Sequence, residues 1–188
     1  MRTAYIGLGG NLPSPAGSPQ ATLAAAAVRL GSLGRIAARS SLYSTAPVGL
    51  SGQPRFVNAV VALETCLAPR AILDGLLAIE QEFGRDRSAG VANGPRTLDL
   101  DLLLLGDLVL CEAGLEVPHP RLAERAFVLV PLCQIASQIV HPRLGKTVAQ
   151  LLHSLLPSSQ GEINAVVQIQ DGGWPSFASR CNVDPLIG

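Results

Sequence analysis

The order of strand-like and helix-like segments is the feature of this sequence that most limits its fold. Strand-like segments alternate with two amphipathic segments in the order β-α-β-β-α-β. The strand-like runs are Thr3 to Leu8, Arg35 to Thr45, Arg55 to Thr65 and Leu98 to Leu105. This order predicts an α+β, ferredoxin-like βαββαβ fold, in which an antiparallel sheet carries both helices on one face.

Capping residues predict where the two helices begin and end. Ser18 precedes Pro19, which is typical of an N-cap followed by proline at the first helical position, and this helix is expected to stop near Gly34. Pro69 begins the second helix and Gly84 ends it. The second helix has its apolar residues on one face: Ile72, Leu76, Ile79 and Phe83.

Glycines mark the expected turns. Gly9-Gly10 is expected to stop the first strand, and Gly106-Asp107 is predicted to be a two-residue turn into a further strand, Leu108 to Cys111. Additional helices are expected near 121–136 and 147–155. We expect residues 1–156 to form one catalytic domain, with 157–188 as a C-terminal extension that contains one predicted strand, Ile163 to Ile169.

Charge and cysteine content exclude several classes of partner. The 14 basic and 14 acidic residues give a formal net charge of zero, so the chain lacks the positive field that nucleic acid or an anionic membrane attracts. The four cysteines form no C-x-x-C pair, which argues against a zinc site. No apolar stretch is long enough to span a bilayer or resembles a secretory signal. These features predict a cytoplasmic protein that acts on small molecules.

Two aspartates on the last strand are the sharpest candidates for chemistry. Asp99 and Asp101 are two residues apart, so both carboxylates face the same side of a strand. Either they form the polar side of an ordinary strand, or they bind a hard cation such as Mg²⁺ that leaves positions for phosphate oxygens. The spacing alone leaves both interpretations open.

Basic residues lie on both sides of this pair in the sequence. Arg85, Arg87 and Arg96 flank the loop before the aspartates and could hold a polyphosphate, although such a loop is also typical of a solvated surface. His119 and Arg125 follow in a proline-containing segment, where a lone histidine is usually structural.

Several common nucleotide-binding and catalytic motifs do not occur. The glycine cluster at residues 7–10 follows a strand, but Leu12 stands where G-x-G-x-x-G requires its third glycine. The sequence contains no P-loop, no G-x-S-x-G elbow and no H-E-x-x-H pair. Any phosphate site must therefore be of another type.

In combination, the motifs resemble those of the 6-hydroxymethyl-7,8-dihydropterin pyrophosphokinases. The resemblance covers about residues 3 to 155, and GPRTLDLD with PHPR downstream is its most specific part. The matching segments are Ala4 to Leu12, Tyr43 to Gly49, Gln53 to Ala59, Glu80 to Arg85, Gly94 to Asp101, Val117 to Arg121 and Arg125 to Phe127.

The resemblance implies a reaction and a set of site residues. A diphosphate would pass from ATP to the hydroxymethyl group of the pterin, with AMP released, in folate biosynthesis. Two Mg²⁺ ions would bind to Asp99 and Asp101, and Arg85 and Arg96 would share in catalysis. The pterin would contact Thr45, Ala46, Val48, Phe56, Asn58 and Phe127. ATP would contact Glu80, Arg85, Arg87, Arg96, His119 and Arg125.

The sequence departs from the family pattern at a few positions. Asn93 stands where some relatives have a tryptophan that covers the pterin, and Ser88, Gly114 and Glu116 replace residues that bind ATP in some members. No role is transferred to these residues. We expect a monomer.

Two rival functions remain on the sequence alone. A non-catalytic ferredoxin-like module could bind a nucleotide or a metabolite and regulate a partner, but it would not need the carboxylate pair. A magnesium-dependent kinase for another hydroxymethyl heterocycle would share the site and differ only in its substrate.

Overall fold

The structure, a computed structural model, describes residues 1–47, 52–86, 94–155, 165–170 and 174. Strands and helices follow in the order β1 (Arg2–Gly10), α1 (Pro19–Leu30), β2 (Arg35–Arg39), β3 (Leu42–Thr45), β4 (Phe56–Thr65), α2 (Pro69–Glu82), β5 (Asp99–Leu105), β6 (Leu110–Glu112), β7 (Leu115–Val117), a 3₁₀ turn (Leu122–Glu124), α3 (Ala126–Ala136), α4 (148–155) and β8 (Val167–Ile169).

An antiparallel sheet forms the centre of the fold. Its strands lie in the order β5-β1-β4-β3-β8, and β2 pairs with β4 beside β3. The long strand β4 pairs with β1 along one edge and with β2 and β3 along the other. The prediction of helices packed against an antiparallel sheet is therefore confirmed at the level of a mixed α/β fold.

Helices cover both faces of this sheet. On one face, α1 and α2 pack against Ala4, Ile6 and Leu8 of β1. On the other face, α3 and α4 pack against Tyr5, which alternates with those residues along the strand. The predicted cap of α1 is confirmed, because the Ser18 hydroxyl accepts a hydrogen bond from the Ala21 N–H.

The prediction that Gly9-Gly10 stops β1 is wrong, because β1 runs through both glycines. A side chain at either position would collide with a neighbour: a Cβ on Gly9 would lie 2.9 Å from the Asn58 Oδ1, and one on Gly10 would lie 2.4 Å from the Thr97 carbonyl oxygen. These glycines allow close approach of neighbouring groups and do not make a turn.

Two predicted boundaries between residues 30 and 45 also change. Helix α1 ends at Leu30 with Gly31 as its C-cap, and Gly34 lies instead against β4, where a Cβ would be 2.3 Å from the Glu64 carbonyl oxygen. The single strand predicted for Arg35 to Thr45 is divided at Ser40-Ser41. There the Ser40 hydroxyl accepts the Val60 N–H, which replaces a strand-to-strand bond.

A two-residue hairpin turn at Gly106-Asp107 would pair the following strand with β5, but the structure pairs it differently. Strand β6 pairs with β7 in a separate two-stranded sheet. The reason is that the His119 N–H donates to the Leu103 carbonyl oxygen at 2.9 Å, which occupies the outer edge of β5. The β6–β7 turn includes Gly114, whose positive φ of 72° favours glycine.

The C-terminal extension contributes to the folded core. Of the predicted strand Ile163 to Ile169, the structure has Val167–Ile169 as β8, which pairs with β3 at the edge of the sheet, and residues 163–164 lie outside the described residues. Trp174 is 2% exposed and its indole N–H donates to the Ser40 carbonyl oxygen at 2.7 Å. The guanidinium of Arg39 lies over the indole ring.

Candidate active site

The predicted carboxylate pair lies on the sheet face that α3 covers. Strand alternation directs Leu100 into the core beneath α1 and α2, so Asp99 and Asp101 face the opposite side. On β1 the residues directly paired with them are Gly9 and Gly7. Because glycine has no side chain, the Asn58 amide and the Leu103 side chain can lie close to the backbone beside the carboxylates.

A row of paired residues runs across three neighbouring strands, from Asp99 on β5 through Gly9 on β1 to Asn58 on β4. Gly9 pairs with Asp99 of β5 on one side and with Asn58 of β4 on the other. Since neighbouring strands are about 4.8 Å apart, Asn58 and Asp99 have backbones separated by about 10 Å. The sheet thus holds an amide and two carboxylates at a fixed spacing, with only glycine between them.

A pocket opens over this row. It is a shallow, solvent-open cleft with about 380 Å³ of empty space, part of which is bulk solvent. The polar residues and the aromatic residue that line it are Asn58, Arg96, Asp99, Asp101, Arg125 and Phe127. All six of these residues are among the site residues predicted from the sequence, and they lie together in one cleft.

Asp99 is held by two of the predicted arginines. Its Oδ1 lies 3.2 Å from Arg85 Nη2, and its Oδ2 lies 2.9 Å from Arg96 Nη2. Arg85 also donates to the Leu98 carbonyl oxygen at 3.0 Å. The guanidinium groups are consequently fixed beside the carboxylates, within reach of an anion that enters the cleft.

Asp101 has weaker contacts with its basic neighbours. Its Oδ2 lies 3.8 Å from Arg125 Nη1 and 4.0 Å from His119 Nε2. Burial and the Asp99 carboxylate raise the pKa of Asp101, whereas His119, Arg125 and Arg96 oppose this rise. Burial lowers the pKa of His119, despite the opposing effect of Asp101. The charged form of Asp101 is thus incompletely compensated.

The residues present fit a magnesium site. Burial and, after it, repulsion from Asp99 raise the pKa of Asp101, and a cation between the two carboxylates would oppose both effects. Over the described parts of the chain, no three His, Cys, Asp or Glu residues converge on a common point. Mg²⁺ commonly takes only one or two carboxylates and fills its remaining positions with water and phosphate oxygens, so two aspartates are sufficient.

The predicted pterin-binding residues lie at the other end of the row. Asn58 is buried, and its Nδ2 donates to the Thr45 hydroxyl at 2.8 Å. The Arg96 guanidinium lies 5.0 Å from the centroid of the Phe56 ring, and that of Arg125 lies 5.6 Å from the Phe127 centroid. Both rings thus contact cations that also reach the carboxylates.

Other predicted residues are placed differently. Ala46 is exposed, and Val48 and Arg87 lie outside the described residues. Glu80 is 1% exposed and lies on α2, where its Oε1 accepts the Leu100 N–H at 2.8 Å. It therefore contacts the backbone between the two aspartates and is absent from the residues that line the described pocket.

Comparisons with known proteins identify the family. The family model for 7,8-dihydro-6-hydroxymethylpterin-pyrophosphokinase (HPPK) matches residues 5–137. The chain belongs to the HPPK family. The matched region contains every site residue predicted from the sequence, so the suspected resemblance is confirmed.

Bacterial HPPK proteins are similar over most of their length. The chain is 48% identical to a 2-amino-4-hydroxy-6-hydroxymethyldihydropteridine pyrophosphokinase of Pseudomonas aeruginosa over 135 residues, which are 72% of this chain and 81% of that protein. It is 41% identical to the protein of the same name from Methylorubrum extorquens over 160 residues, 84% of this chain and 96% of that protein. The predicted pyrophosphokinase activity in folate biosynthesis is confirmed by these relationships.

Solved structures support the same fold. The crystal structure of wild-type Plasmodium falciparum HPPK-DHPS with SDX-DHP has a TM-score of 0.66 at 16% identity. The similarity covers 90% of this chain and 47% of that one, so this HPPK chain spans about half the length of the Plasmodium protein. None of the helices in the described residues is long and apolar enough to cross a membrane.

Sequence reasoning missed the contribution of Asn11 to this HPPK site. Its side chain is 3% exposed, donates to the Pro54 carbonyl oxygen at 3.1 Å and accepts the Arg96 N–H at 2.8 Å. Asn11 thereby links the segment before Phe56 to the segment before Asp99. The available signal was an asparagine directly after Gly9-Gly10, at the end of the first strand.

Asp101 is expected to make the stability of the metal-free protein depend on pH. Its folded-state pKa lies above the ordinary value of about 4, so between these values the folded protein keeps a proton that the unfolded chain has lost. This contribution stabilises the fold at low pH and is lost as pH rises through the raised pKa.

Asp101→Asn lacks this titrating carboxyl group, so the stability of the variant relative to wild type should increase with pH across this window. Urea unfolding with a chelator present measures the difference, and a gap that is independent of pH would contradict the assignment.

Proposed function

We propose that this chain transfers a diphosphate from ATP to the hydroxymethyl group of 6-hydroxymethyl-7,8-dihydropterin and releases AMP. The observation that carries the proposal is the row Asn58–Gly9–Asp99, because it places a group suited to reading a heterocycle about two strand spacings from a carboxylate pair suited to magnesium. The hydroxymethyl oxygen forms a bond to the β-phosphorus, and the bond from that phosphorus to the oxygen shared with the α-phosphate breaks. AMP keeps that bridging oxygen, and the proton of the hydroxymethyl group is released to solvent.

The charge in the cleft matches this reaction. Diphosphoryl transfer depends chiefly on in-line placement and charge neutralisation. Asp99 and Asp101 would hold two magnesium ions, which when bound supply positive charge against the phosphates and orient them. Arg85 and Arg96 already lie at Asp99, and we propose that they exchange this carboxylate for phosphate oxygens. Together with Arg87, His119 and Arg125 they form the proposed ATP subsite.

For Glu80 we propose an indirect part in ATP binding. Its carboxylate accepts the N–H of Leu100, which lies between the two aspartates. This hydrogen bond fixes β5 against α2 and so orients the proposed metal ligands.

The proposed pterin subsite surrounds Asn58. Phe56 and Phe127 would stack on the ring, and Thr45, Ala46 and Val48 would contact its edge. This arrangement requires Arg96 and Arg125 to leave the two aromatic rings, which binding of the phosphates by these arginines would favour. Two aromatic faces then become available to a flat heterocycle.

Replacement of Asn58 is expected to separate the two ligands. Asn58→Ala should weaken pterin binding by about 1 to 3 kcal/mol, since a buried hydrogen-bonding edge of the ligand loses its partner. ATP affinity should stay close to that of wild type, because Asn58 lies at the end of the row away from the carboxylates. Calorimetry with each ligand tests this, and equal losses for both would show that Asn58 supports the fold instead.

The reaction products provide the direct test of the proposed function. The protein is incubated with ATP, Mg²⁺ and 6-hydroxymethyl-7,8-dihydropterin, and the nucleotides are separated by chromatography. We expect AMP that depends on the pterin and that disappears when magnesium is chelated. ADP as the product would indicate an ordinary kinase, and turnover with another hydroxymethyl heterocycle in place of this pterin would indicate the rival substrate. Folded protein that consumes no ATP would overturn the enzymatic proposal.

We extend the proposal to the finer description of the protein. The strand order β5-β1-β4-β3, with α1 and α2 on one face, supports a ferredoxin-like core. The free thiols of Cys66, Cys111 and Cys133 support a reducing, cytoplasmic location. We also propose a monomer whose active site lies within residues 1–156, where all of its proposed ligands occur.

A further inference from the structure

Arg55 makes contacts that the proposed reaction does not explain. This exposed residue precedes Phe56, and its Nε donates to the Ser44 hydroxyl at 2.8 Å. Its Nη2 donates to the Ser44 carbonyl oxygen at 3.1 Å and to the Ala165 carbonyl oxygen at 2.9 Å. One guanidinium thus joins the end of β3 to the segment that leads into β8.

These contacts continue into the pterin subsite. Ser44 is followed by Thr45, whose hydroxyl accepts the hydrogen bond of the Asn58 side chain. Thr45 also pairs with Phe56, the residue after Arg55. The position of the Ser44 backbone therefore affects both the group proposed to read the pterin edge and one of the rings proposed to stack on it.

Strand β3 is short, and β8 lies on its outer side. It comprises only residues Leu42–Thr45 and lies between β4 and β8 in the sheet. Strand β8 has three residues, of which Val167 is 52% exposed. Because a three-residue strand forms few ladder hydrogen bonds, the bond from Arg55 to Ala165 adds to the contacts that hold β8 on β3.

We propose that Arg55 is a positioning residue for the pterin subsite, which it ties to the C-terminal strand β8. This inference rests on the proposed function for the identity of the ligand. The planar guanidinium is needed because one side chain must donate in two directions, to Ser44 and to Ala165. Arg55 itself touches neither the carboxylates nor the pocket lining described above.

Hydrogen exchange tests the structural part of this inference without any ligand. In Arg55→Gln, we expect amides of residues 42–45 and 167–169 to exchange faster by about 10-fold or more, because local opening of this edge becomes easier. Amides of β1 and β5 should exchange at the wild-type rate. Unchanged protection in residues 42–45 and 167–169 would overturn the inference.

Ligand affinity tests the functional part. The full chain is titrated with 6-hydroxymethyl-7,8-dihydropterin in the presence of α,β-methylene-ATP, a nucleotide whose α–β bridge cannot be cleaved. Loss of these hydrogen bonds in Arg55→Gln should weaken pterin binding by about 5- to 10-fold. The affinity for the nucleotide alone should change by less than about 2-fold, since Arg55 contacts no proposed phosphate ligand.

Two further variants separate positioning from other effects. Arg55→Lys keeps the positive charge but lacks the several planar N–H donors of a guanidinium, so its pterin affinity should fall as in Arg55→Gln. Wild-type pterin affinity in Arg55→Lys would indicate electrostatic attraction and overturn the inference. Arg70→Gln is the matched control, because Arg70 also donates to a backbone carbonyl, that of Ala113 at 2.8 Å, but on α2. It should leave pterin affinity unchanged, and an equal loss in this control would overturn the inference.

Failure of the proposed function and failure of the positioning role of Arg55 would give different results. A wild-type chain that binds the nucleotide but not the pterin would overturn the proposed function, and with it the ligand assigned to this subsite. A wild-type chain that binds the pterin, with unchanged pterin affinity in Arg55→Gln, would overturn only the role of Arg55.

Discussion

Replacement of Asp101 by alanine is expected to lower turnover by at least about 10³-fold, because removal of charge stabilisation worth several kcal/mol changes a rate by this factor. Asp101 is the less compensated of the two carboxylates, with its basic neighbours at 3.8 and 4.0 Å. Its charge is therefore the one most available to a cation. Asp99→Ala should have an effect of similar size, and it should also release Arg85 and Arg96.

This loss is expected without loss of the fold. Asp101 lies on the open side of β5, and the neutral side chain removes a repulsion from Asp99. Asp107→Ala, in the exposed turn after β5, is the matched control and should keep wild-type turnover. The measurement is the rate of pterin-dependent AMP formation at saturating substrates, together with a thermal unfolding curve. An Asp101→Ala protein with near-normal turnover would remove this residue from the metal site.

Replacement of Trp174 by alanine is expected to destabilise the protein by about 3 to 5 kcal/mol, the usual cost of truncating a large buried aromatic side chain. Trp174 is 2% exposed and belongs to the same buried core cluster as residues of β1, β4, α1 and α2. Its removal also leaves the Ser40 carbonyl oxygen without the indole donor. The C-terminal extension thus stabilises the core, although it contributes none of the proposed ligands.

A conservative variant divides this effect into its parts. Trp174→Phe keeps most of the apolar contact and loses the hydrogen bond to Ser40, so it should cost about 1 to 3 kcal/mol. Urea unfolding of both variants, monitored by circular dichroism, gives the two values. A change below about 1 kcal/mol for Trp174→Ala would mean that the core does not depend on this residue. A chain that ends at Leu156 is expected to be less stable than the full chain for the same reason.

Local patterns in the sequence determined much of the secondary structure. The alternation of Asp99, Leu100 and Asp101 was sufficient to place both carboxylates on one face, because residues two apart on a strand share a side. Ser18-Pro19 and Pro69 gave the starts of α1 and α2, since a cap and a proline act within one turn. The motifs around these elements were also sufficient to suggest the family.

Contacts between distant segments were not available from such patterns. The sequence pattern at Gly9 and Gly10 predicted a turn. In the structure, the lack of side chains at these two positions makes room for Asn58 and Thr97, which are far away in sequence. Strand β6 pairs with β7 because the N–H of His119 occupies the edge of β5. Glu80 turns toward the Leu100 backbone, which periodicity on α2 could not indicate.

The sequence by itself therefore determined the types of element, the shared face of Asp99 and Asp101 and the family, because each depends on residues close together in the chain. Only the tertiary structure decided what lies beside the carboxylates and what stabilises the edge of the sheet. Gly9 leaves room for the Asn58 side chain in the row that leads to Asp99, and Trp174 reaches Ser40 across 134 residues of sequence. Such contacts depend on how the assembled elements approach one another, and no local propensity encodes that geometry.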